Sequence, residues 1–168
     1  MAEQQRQRIL FLCTGNSARS IFAEYLIRKI CPDRFEAYSA GSNPSGKVNP
    51  FTIEVLRNQY KIEPHAARSK SWGEFKNLRF DIIITVCDQA KESCPVFPGE
   101  PRVAHWSIPD PAAAGGTDDQ KLRAFREAAQ QIQRRIELLC SFPTEKLGHL
   151  LTESAKGAKS QNDFQDEI

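Results

Sequence analysis

A cysteine and an arginine near the N-terminus have the residue types and the spacing to bind and attack an oxyanion. Cys13 follows the apolar residues 9–12, and five residues separate it from Arg19 in the segment Cys-Thr-Gly-Asn-Ser-Ala-Arg-Ser. A short loop between a strand and a helix points backbone N–H groups inward, where they bind negative charge. The guanidinium of Arg19 can add two parallel hydrogen bonds to the same anion.

The same donors predict a reactive sulfur. The loop N–H groups and Arg19 favour the thiolate, which is the nucleophilic form, so we expect the pKa of Cys13 to be lowered. We predict an oxyanion-binding loop made of Thr14, Gly15, Asn16, Ser17, Ala18, Arg19 and Ser20. The alternative, a buried cysteine beside a surface arginine, leaves the Gly-Asn-Ser loop and the helix start at Ser20 unexplained.

The composition is that of a globular protein. The 168 residues are 40% hydrophobic and 26% charged, with a formal net charge of +2. We expect no nucleic-acid partner, because no basic run is interleaved with aromatic residues. No apolar run is as long as a membrane span and no apolar signal region begins the chain, so we expect a cytoplasmic protein without membrane partners. Its five cysteines should then be thiols or core residues, not a structural disulfide framework.

Strand-like and helix-like segments alternate along the chain. Apolar runs predict strands at residues 8–12, 35–40, 81–86 and 102–106, and three- or four-residue apolar spacing predicts helices at 20–30 and 118–140. Asn49 as N-cap and Pro50 in the first turn predict a further helix that runs to about residue 60. This alternation indicates an α/β fold with a parallel sheet and helices on both faces. We predict one catalytic domain at residues 1–142 and a polar, flexible tail at 143–168.

Three segments with chemical potential follow predicted strands. In a parallel α/β sheet, ligands bind beyond the carboxyl ends of the strands. The Cys13 loop, Cys87 and the loop after Trp106 all lie there. We therefore expect them to converge at one edge of the sheet.

A second pair of cysteines stands at the exit of the third predicted strand. Cys87 and Cys94 are seven positions apart, and the residues between them are polar. Two packed core cysteines are one possibility, but a polar segment fits that poorly. The spacing is not the short one of zinc sites. If the segment is flexible, the two thiols can form a disulfide, which makes them candidate redox partners of Cys13.

A third element follows the fourth predicted strand. Pro109 and Pro111 bracket Asp110 and stiffen its backbone, and a carboxylic acid at this edge could protonate a leaving oxygen. We expect His105 to be structural. We also expect Cys31, at a helix end, and Cys140, on the apolar face of the last helix, to take no part in the chemistry.

Four motifs together resemble the thioredoxin-coupled arsenate reductases, which share the low-molecular-weight tyrosine phosphatase fold. They are Cys-Thr-Gly-Asn-Ser-x-Arg-Ser at 13–20, Tyr-Ser-Ala-Gly at 38–41, Val-Cys-Asp with Ser-Cys-Pro at 86–95, and His-Trp with Asp-Pro-Ala at 105–112. The resemblance spans residues 8 to about 140. It implies a four-stranded parallel sheet with helices on both sides.

The resemblance also implies roles for the site residues. Cys13 would be the nucleophile, Arg19 the oxyanion clamp and Asp110 the general acid, while Cys87 and Cys94 would complete a three-thiol relay that converts arsenate to arsenite. We expect a monomer with no bound cofactor, an arsenate- or phosphate-like substrate, and an external thiol reductant of the thioredoxin kind. Thioredoxin and glutathione are the two alternatives for this reductant.

The chain departs from these relatives in two places. Some of them bind potassium near the loop, and Asn16, Glu24 and Ser39 match part of such a site, but Arg68 stands where an acidic ligand is expected; we therefore expect no metal. The phosphatases of the family usually carry an aromatic residue after the Asp-Pro pair, where this chain has three alanines at 112–114.

Two other functions remain as alternatives. A tyrosine-phosphatase-like phosphomonoesterase would use only Cys13, Arg19 and Asp110, and would need an aromatic-lined mouth, for which Trp72, Phe97 and Trp106 are the candidates. A phosphate-binding or redox-sensing module would not need Asp110.

Overall fold

The computed structural model describes residues 5–147 of the chain. Strands and helices alternate in the order β1 Gln7–Cys13, α1 Arg19–Ile30, β2 Phe35–Gly41, α2 Pro50–Asn58, β3 Ile82–Thr85, α3 Asp88–Ser93, β4 Arg102–His105 and α4 Asp118–Ser141. Short 3-10 turns occur at Trp72–Phe75, Pro111–Ala113 and Thr144–Lys146.

The four strands form one parallel sheet in the order β2-β1-β3-β4. Ile9 of β1 is paired with Ala37 of β2 on one side and with Ile82 of β3 on the other. The helices flank this sheet, which confirms the predicted α/β class and the four-stranded arrangement. The carboxyl ends of β1, β3 and β4 therefore lie along one edge, as the sequence predicted.

Strand β1 is the centre of the core. Ile9, Leu10, Phe11 and Leu12 have no solvent-exposed surface, as expected for a parallel strand that is covered on both faces. Helix α4 packs against α1 and α2. Its buried stripe consists of Phe125, Ala128, Ala129, Ile132, Ile136 and Leu139.

Helix boundaries follow local capping. Asn49 caps α2 by accepting a hydrogen bond from the Phe51 amide, and Thr117 and Gln120 form a capping box at the start of α4. Helix α2 ends at Asn58, short of the predicted end at residue 60. Tyr60 instead donates its hydroxyl to Gln133 on α4 at 2.9 Å.

A disulfide joins Cys31, which caps the C-terminal end of α1, to Cys140 near the end of α4. The expectation of five free or core thiols is therefore wrong. The bridge arises because α1 and α4 pack side by side and end close together, a proximity of residues 109 positions apart that composition cannot show.

Most of the predicted tail, residues 148–168, lies outside the described residues. Within the described part, Leu147 packs into the core and is 1% exposed. None of the helices in residues 5–147 combines the length and the apolar character that a membrane span requires.

Candidate active site

The Cys13 loop is held tightly between β1 and α1. Cys13 is the last residue of β1 and Arg19 the first of α1. Asn16, within the turn, has a φ of 47°, in the left-handed region that Asn adopts more readily than most residues. Gly41 on β2 permits the close approach of the loop, because a Cβ there would lie 2.4 Å from the carbonyl oxygen of Thr14.

Two polar groups contact the buried sulfur of Cys13. Ser20 Oγ lies 2.8 Å from Sγ, and the backbone N–H of Asn16 donates to Sγ at 3.2 Å. Burial raises the pKa of the Cys13 thiol, while these hydrogen bonds and the charge of Arg19 lower it to a smaller extent. The predicted net lowering of the Cys13 pKa is therefore wrong. The loop amide and Arg19 act in the predicted direction, but loss of solvation outweighs them.

Arg19 connects the loop to the predicted general acid. Its Nη1 donates to the carbonyl oxygen of Ile108 at 3.1 Å, and its Nη2 lies 3.8 Å from Asp110 Oδ2. Asp110 Oδ1 accepts a hydrogen bond from the Ala112 amide at 3.0 Å. The Asp110 side chain is 47% exposed, so it lies on the solvent side of the site.

A cavity of about 450 Å³ opens above the sulfur. It is lined by Cys13, Thr14, Gly15, Ser17, Ala18, Arg19, Cys87, Asp88, Gln89, Asp110 and Ala112. No aromatic side chain of the described residues lines this cavity. Trp106 and Phe97 are buried in the core and Trp72 packs against it, so none of the three candidates forms an aromatic mouth.

Cys87 lies at the same cavity as Cys13. It is the N-cap of α3 and is buried, and its Sγ is 3.3 Å from Thr14 Oγ1. The Thr14 hydroxyl also contacts Gln89 Oε1 at 3.2 Å. The first and second cysteines of the predicted relay are thus brought together through the Thr14 side chain.

Cys94 is not brought to this cavity. It caps the opposite end of α3 from Cys87 and is partly exposed. Seven helical steps separate the two residues by roughly 10 Å along the axis, beyond the span of a disulfide. Burial raises the pKa of the Cys94 thiol. The segment between the two cysteines, predicted to be flexible, is thus a helix. This helix has only six residues, and its N-cap makes no side-chain capping hydrogen bond.

His105 ties this helix to the sheet. Its Nδ1 lies 2.8 Å from Thr85 Oγ1 and its Nε2 lies 2.9 Å from Asp88 Oδ1. Asp88 is the first residue of α3. Both ring nitrogens are therefore engaged, which agrees with the structural role expected for His105.

Sequence reasoning did not identify Lys70. It expected Arg68, not Lys70, beside Asn16 and Glu24. Arg68 does not enter that place, because its guanidinium pairs with Glu74 at 2.9 Å. The ammonium of Lys70 lies there instead, 3.4 Å from Asn16 Oδ1. A potassium ion does not fit this donor set, because a fixed cation already occupies it. No sequence motif marks Lys70, which the fold brings to the loop from 54 positions away.

The fold and this site define a class of protein: a parallel α/β sheet that presents a buried cysteine in the loop between its first strand and first helix. The chain belongs to the low molecular weight phosphotyrosine protein phosphatase family, whose sequence model matches residues 8–149.

Individual relatives agree with this assignment. An arsenate reductase from Halalkalibacterium halodurans is 36% identical over 129 residues, which cover 77% of this chain and 91% of the relative. A solved arsenate reductase in the phosphate-binding state is 25% identical with a TM-score of 0.62, and the match covers 79% of this chain and 95% of that one. A thioredoxin-dependent arsenate reductase from Corynebacterium glutamicum shares the fold at 22% identity and a TM-score of 0.54, covering 82% of this chain and 65% of that one.

Proposed function

We propose that this protein reduces arsenate to arsenite by passing oxidising equivalents along three cysteines. The observation that carries the proposal is the position of Cys87, whose sulfur lies at the wall of the cavity that holds Cys13 and Arg19. A phosphatase needs only the nucleophile loop and an acid, so a second buried thiol beside the nucleophile favours redox chemistry. The names of the sequence relatives point in the same direction.

In the first step, the Cys13 sulfur attacks the arsenic atom of bound arsenate. The loop N–H groups and the guanidinium of Arg19 hold the oxyanion and neutralise its charge. An oxygen leaves as water when Asp110 supplies a proton to it. The product is an arsenic(V) thioester on Cys13.

In the second step, the Cys87 thiolate attacks the Cys13 sulfur. The sulfur–arsenic bond breaks and its electron pair stays on arsenic, which leaves as arsenite. A disulfide between Cys13 and Cys87 remains. The position of Cys87 supports this step, because both cysteines line the same cavity.

In the third step, Cys94 attacks Cys87, freeing Cys13 and leaving a Cys87–Cys94 disulfide. This step requires α3 to unwind, because its two ends are too far apart for a disulfide. A six-residue helix has little intrinsic stability and can unwind at low cost. An external dithiol protein of the thioredoxin kind, acting in the cytoplasm on a monomer, would then reduce the pair.

One arsenate turnover without external reductant tests the proposal. Peptide mapping under non-reducing conditions should find a new disulfide between Cys87 and Cys94 and a free Cys13, with one arsenite released per chain. The Cys31–Cys140 bridge serves as an internal reference, since it should be present before and after. If all three thiols stay free while arsenate is consumed, the relay is contradicted.

A second activity, hydrolysis of small aryl phosphates, is supported by the contact of Arg19 with Asp110 beside the Cys13 loop. These groups suffice for attack on phosphorus and protonation of the leaving oxygen. The lack of aromatic cavity walls in the described residues gives a phosphotyrosine ring no surface to stack on. We therefore place phosphate hydrolysis second.

A further inference from the structure

A buried lysine lies behind the Cys13 loop, outside the residues that line the cavity. The Lys70 side chain is 8% exposed and comes from the segment between α2 and β3. Its Nζ donates to Ser39 Oγ at 3.1 Å, to the Arg68 carbonyl oxygen at 3.3 Å and to Asn16 Oδ1 at 3.4 Å. Burial of an ammonium costs free energy that an apolar side chain at the same position would not cost, which points to a function for Lys70.

Lys70 fixes which way the Asn16 amide faces. An ammonium and a backbone N–H only donate, and both of these groups of Lys70 contact the same atom, Asn16 Oδ1. Nδ2 of Asn16 must therefore face the other way, where it donates to Ser20 Oγ at 2.7 Å and to Ser39 Oγ at 3.1 Å. Every hydrogen-bonding position of the Asn16 amide is used.

The orientation of Asn16 decides what the Ser20 hydroxyl can do. Ser20 Oγ accepts from Asn16, so its hydrogen remains free to point at Cys13 Sγ, 2.8 Å away. Donation thus runs in one direction, from Lys70 to Asn16, then to Ser20, and finally to the sulfur. Hydrogen bonds in such a chain polarise and strengthen one another.

We propose that Lys70 is a positioning residue for the nucleophile: its side-chain ammonium, in addition to its backbone N–H, acts through Asn16 and Ser20 so that the Ser20 hydroxyl donates to the Cys13 sulfur and stabilises its thiolate. The inference rests on Cys13 being the nucleophile of the proposed function, and on nothing else in the relay.

Other charged groups lie near the two ends of this series of hydrogen bonds, at Lys70 and at Cys13. Glu24 on α1 lies 4.0 Å from Lys70 and also pairs with Arg28. Burial lowers the pKa of Lys70, and Glu24 opposes that effect, while Arg68 and Arg28 add to it and Glu74 opposes it.

At the other end, Arg19 is the cation that acts on Cys13, and it is itself paired with Asp110. The Cys87 thiol reaches the same loop through Thr14. Among the described residues, no hydrogen bond or ion pair joins Lys70 to Arg19, Asp110 or Cys87.

The test is the pH dependence of Cys13 alkylation by iodoacetamide, with the modified cysteine identified by peptide mass spectrometry. Lys70→Met should raise the pH midpoint of alkylation by about one unit, so that the rate well below the midpoint falls about tenfold. Lys76→Met is the matched control: it removes an exposed lysine nearby in sequence and should leave the profile unchanged.

A second comparison tests the route. Ser20→Ala should itself raise the midpoint, and adding Lys70→Met to it should produce no further shift, because the path to the sulfur is already cut. If Lys70→Met raised the pH midpoint equally in the wild type and in the Ser20→Ala variant, the proposal would be overturned, because Lys70 would then act on Cys13 through space or through folding. A wild-type profile in Lys70→Met would overturn it as well.

Folding is controlled with a variant that removes both buried charges. Lys70→Met alone leaves Arg28 as the one charged partner of Glu24 among the described residues, which destabilises the buried carboxylate, whereas Glu24→Gln/Lys70→Met is neutral at both positions. The same midpoint shift is expected in the double variant, and an unchanged midpoint would contradict the proposal. Alkylation needs no arsenate, so a failure here is distinguishable from a failure of the reductase assignment.

Discussion

Thr14 Oγ1 and Cys87 Sγ lie 3.3 Å apart at the cavity wall, although 73 positions separate the two residues in the sequence. The contact joins the loop that carries the nucleophile to the first turn of α3. It holds the second thiol of the proposed relay in place before any arsenic is bound. We therefore propose two separate functions for Thr14: its backbone amide belongs to the predicted anion-binding loop, and its hydroxyl positions Cys87.

Replacing Thr14 with valine should separate these two functions. Val keeps the shape and the backbone amide but loses the hydroxyl, and a net hydrogen bond contributes about 1 kcal/mol, or roughly fivefold in rate. Steady-state arsenate reduction should fall by about that factor, while aryl phosphate hydrolysis should fall much less. Equal losses in both activities would show that the Thr14 hydroxyl acts on the anion and not on Cys87.

Asp110→Asn tests the general acid. The amide cannot supply a proton, and general acid catalysis typically contributes roughly 10²–10⁴-fold, so hydrolysis of an aryl phosphate with a poor leaving group should slow by that factor. The loss should be much smaller for a leaving group that needs no proton, and inhibition by phosphate should change little. Similar losses for good and poor leaving groups would mean that Asp110 only orders its loop through Ala112.

Arg19→Lys should impair both activities by at least about tenfold. A lysine keeps the charge but cannot make the planar, two-pronged contact with an oxyanion, and it cannot reach Ile108 and Asp110 at the same time. Arg126→Lys, at an exposed position on α4, is the matched control and should behave as wild type. Wild-type kcat/KM in Arg19→Lys would remove Arg19 from the site.

Removal of the Cys31–Cys140 bridge should lower stability and spare activity. The bridge closes a loop of about 109 residues, and loss of a native disulfide of this kind costs about 2–5 kcal/mol. The bridge lies at the C-terminal end of α1, whereas the Cys13 loop lies at its N-terminal end, about 18 Å away along a twelve-residue helix. Urea unfolding of Cys31→Ala/Cys140→Ala should show the loss, with unchanged aryl phosphate kinetics. Unchanged stability would show that the bridge does not form in solution.

The elements of the fold were predictable because their signals are local. The apolar residues 9–12 fix β1, the Asn49-Pro50 pair fixes the start of α2, and the three- and four-residue spacing fixes α4. The Cys13 loop was predictable for the same reason, since its eight residues are consecutive. The convergence of Cys87 and Asp110 on it follows from the parallel sheet, whose strands end along one edge.

The features that could not be predicted depend mostly on contacts between residues far apart in the sequence, which no local pattern indicates. Lys70 reaches Asn16 through a segment without regular structure, and Cys31 meets Cys140 only because α1 packs on α4. The pKa of Cys13 was predicted with the wrong sign because the donors are visible in the sequence, whereas the depth of burial is a property of the whole core. The α3 helix was missed because six residues between two cysteines are too few for a helical period to show.

The most direct measurement compares arsenate reduction with aryl phosphate hydrolysis in Cys87→Ser and in Cys94→Ser. Both variants keep Cys13, Arg19 and Asp110, so both should hydrolyse p-nitrophenyl phosphate at close to the wild-type rate. Neither should reduce arsenate over many turnovers with a thioredoxin system, because without both thiols the oxidising equivalent cannot leave the site. Normal multiple-turnover arsenate reduction by both variants would contradict the thiol relay.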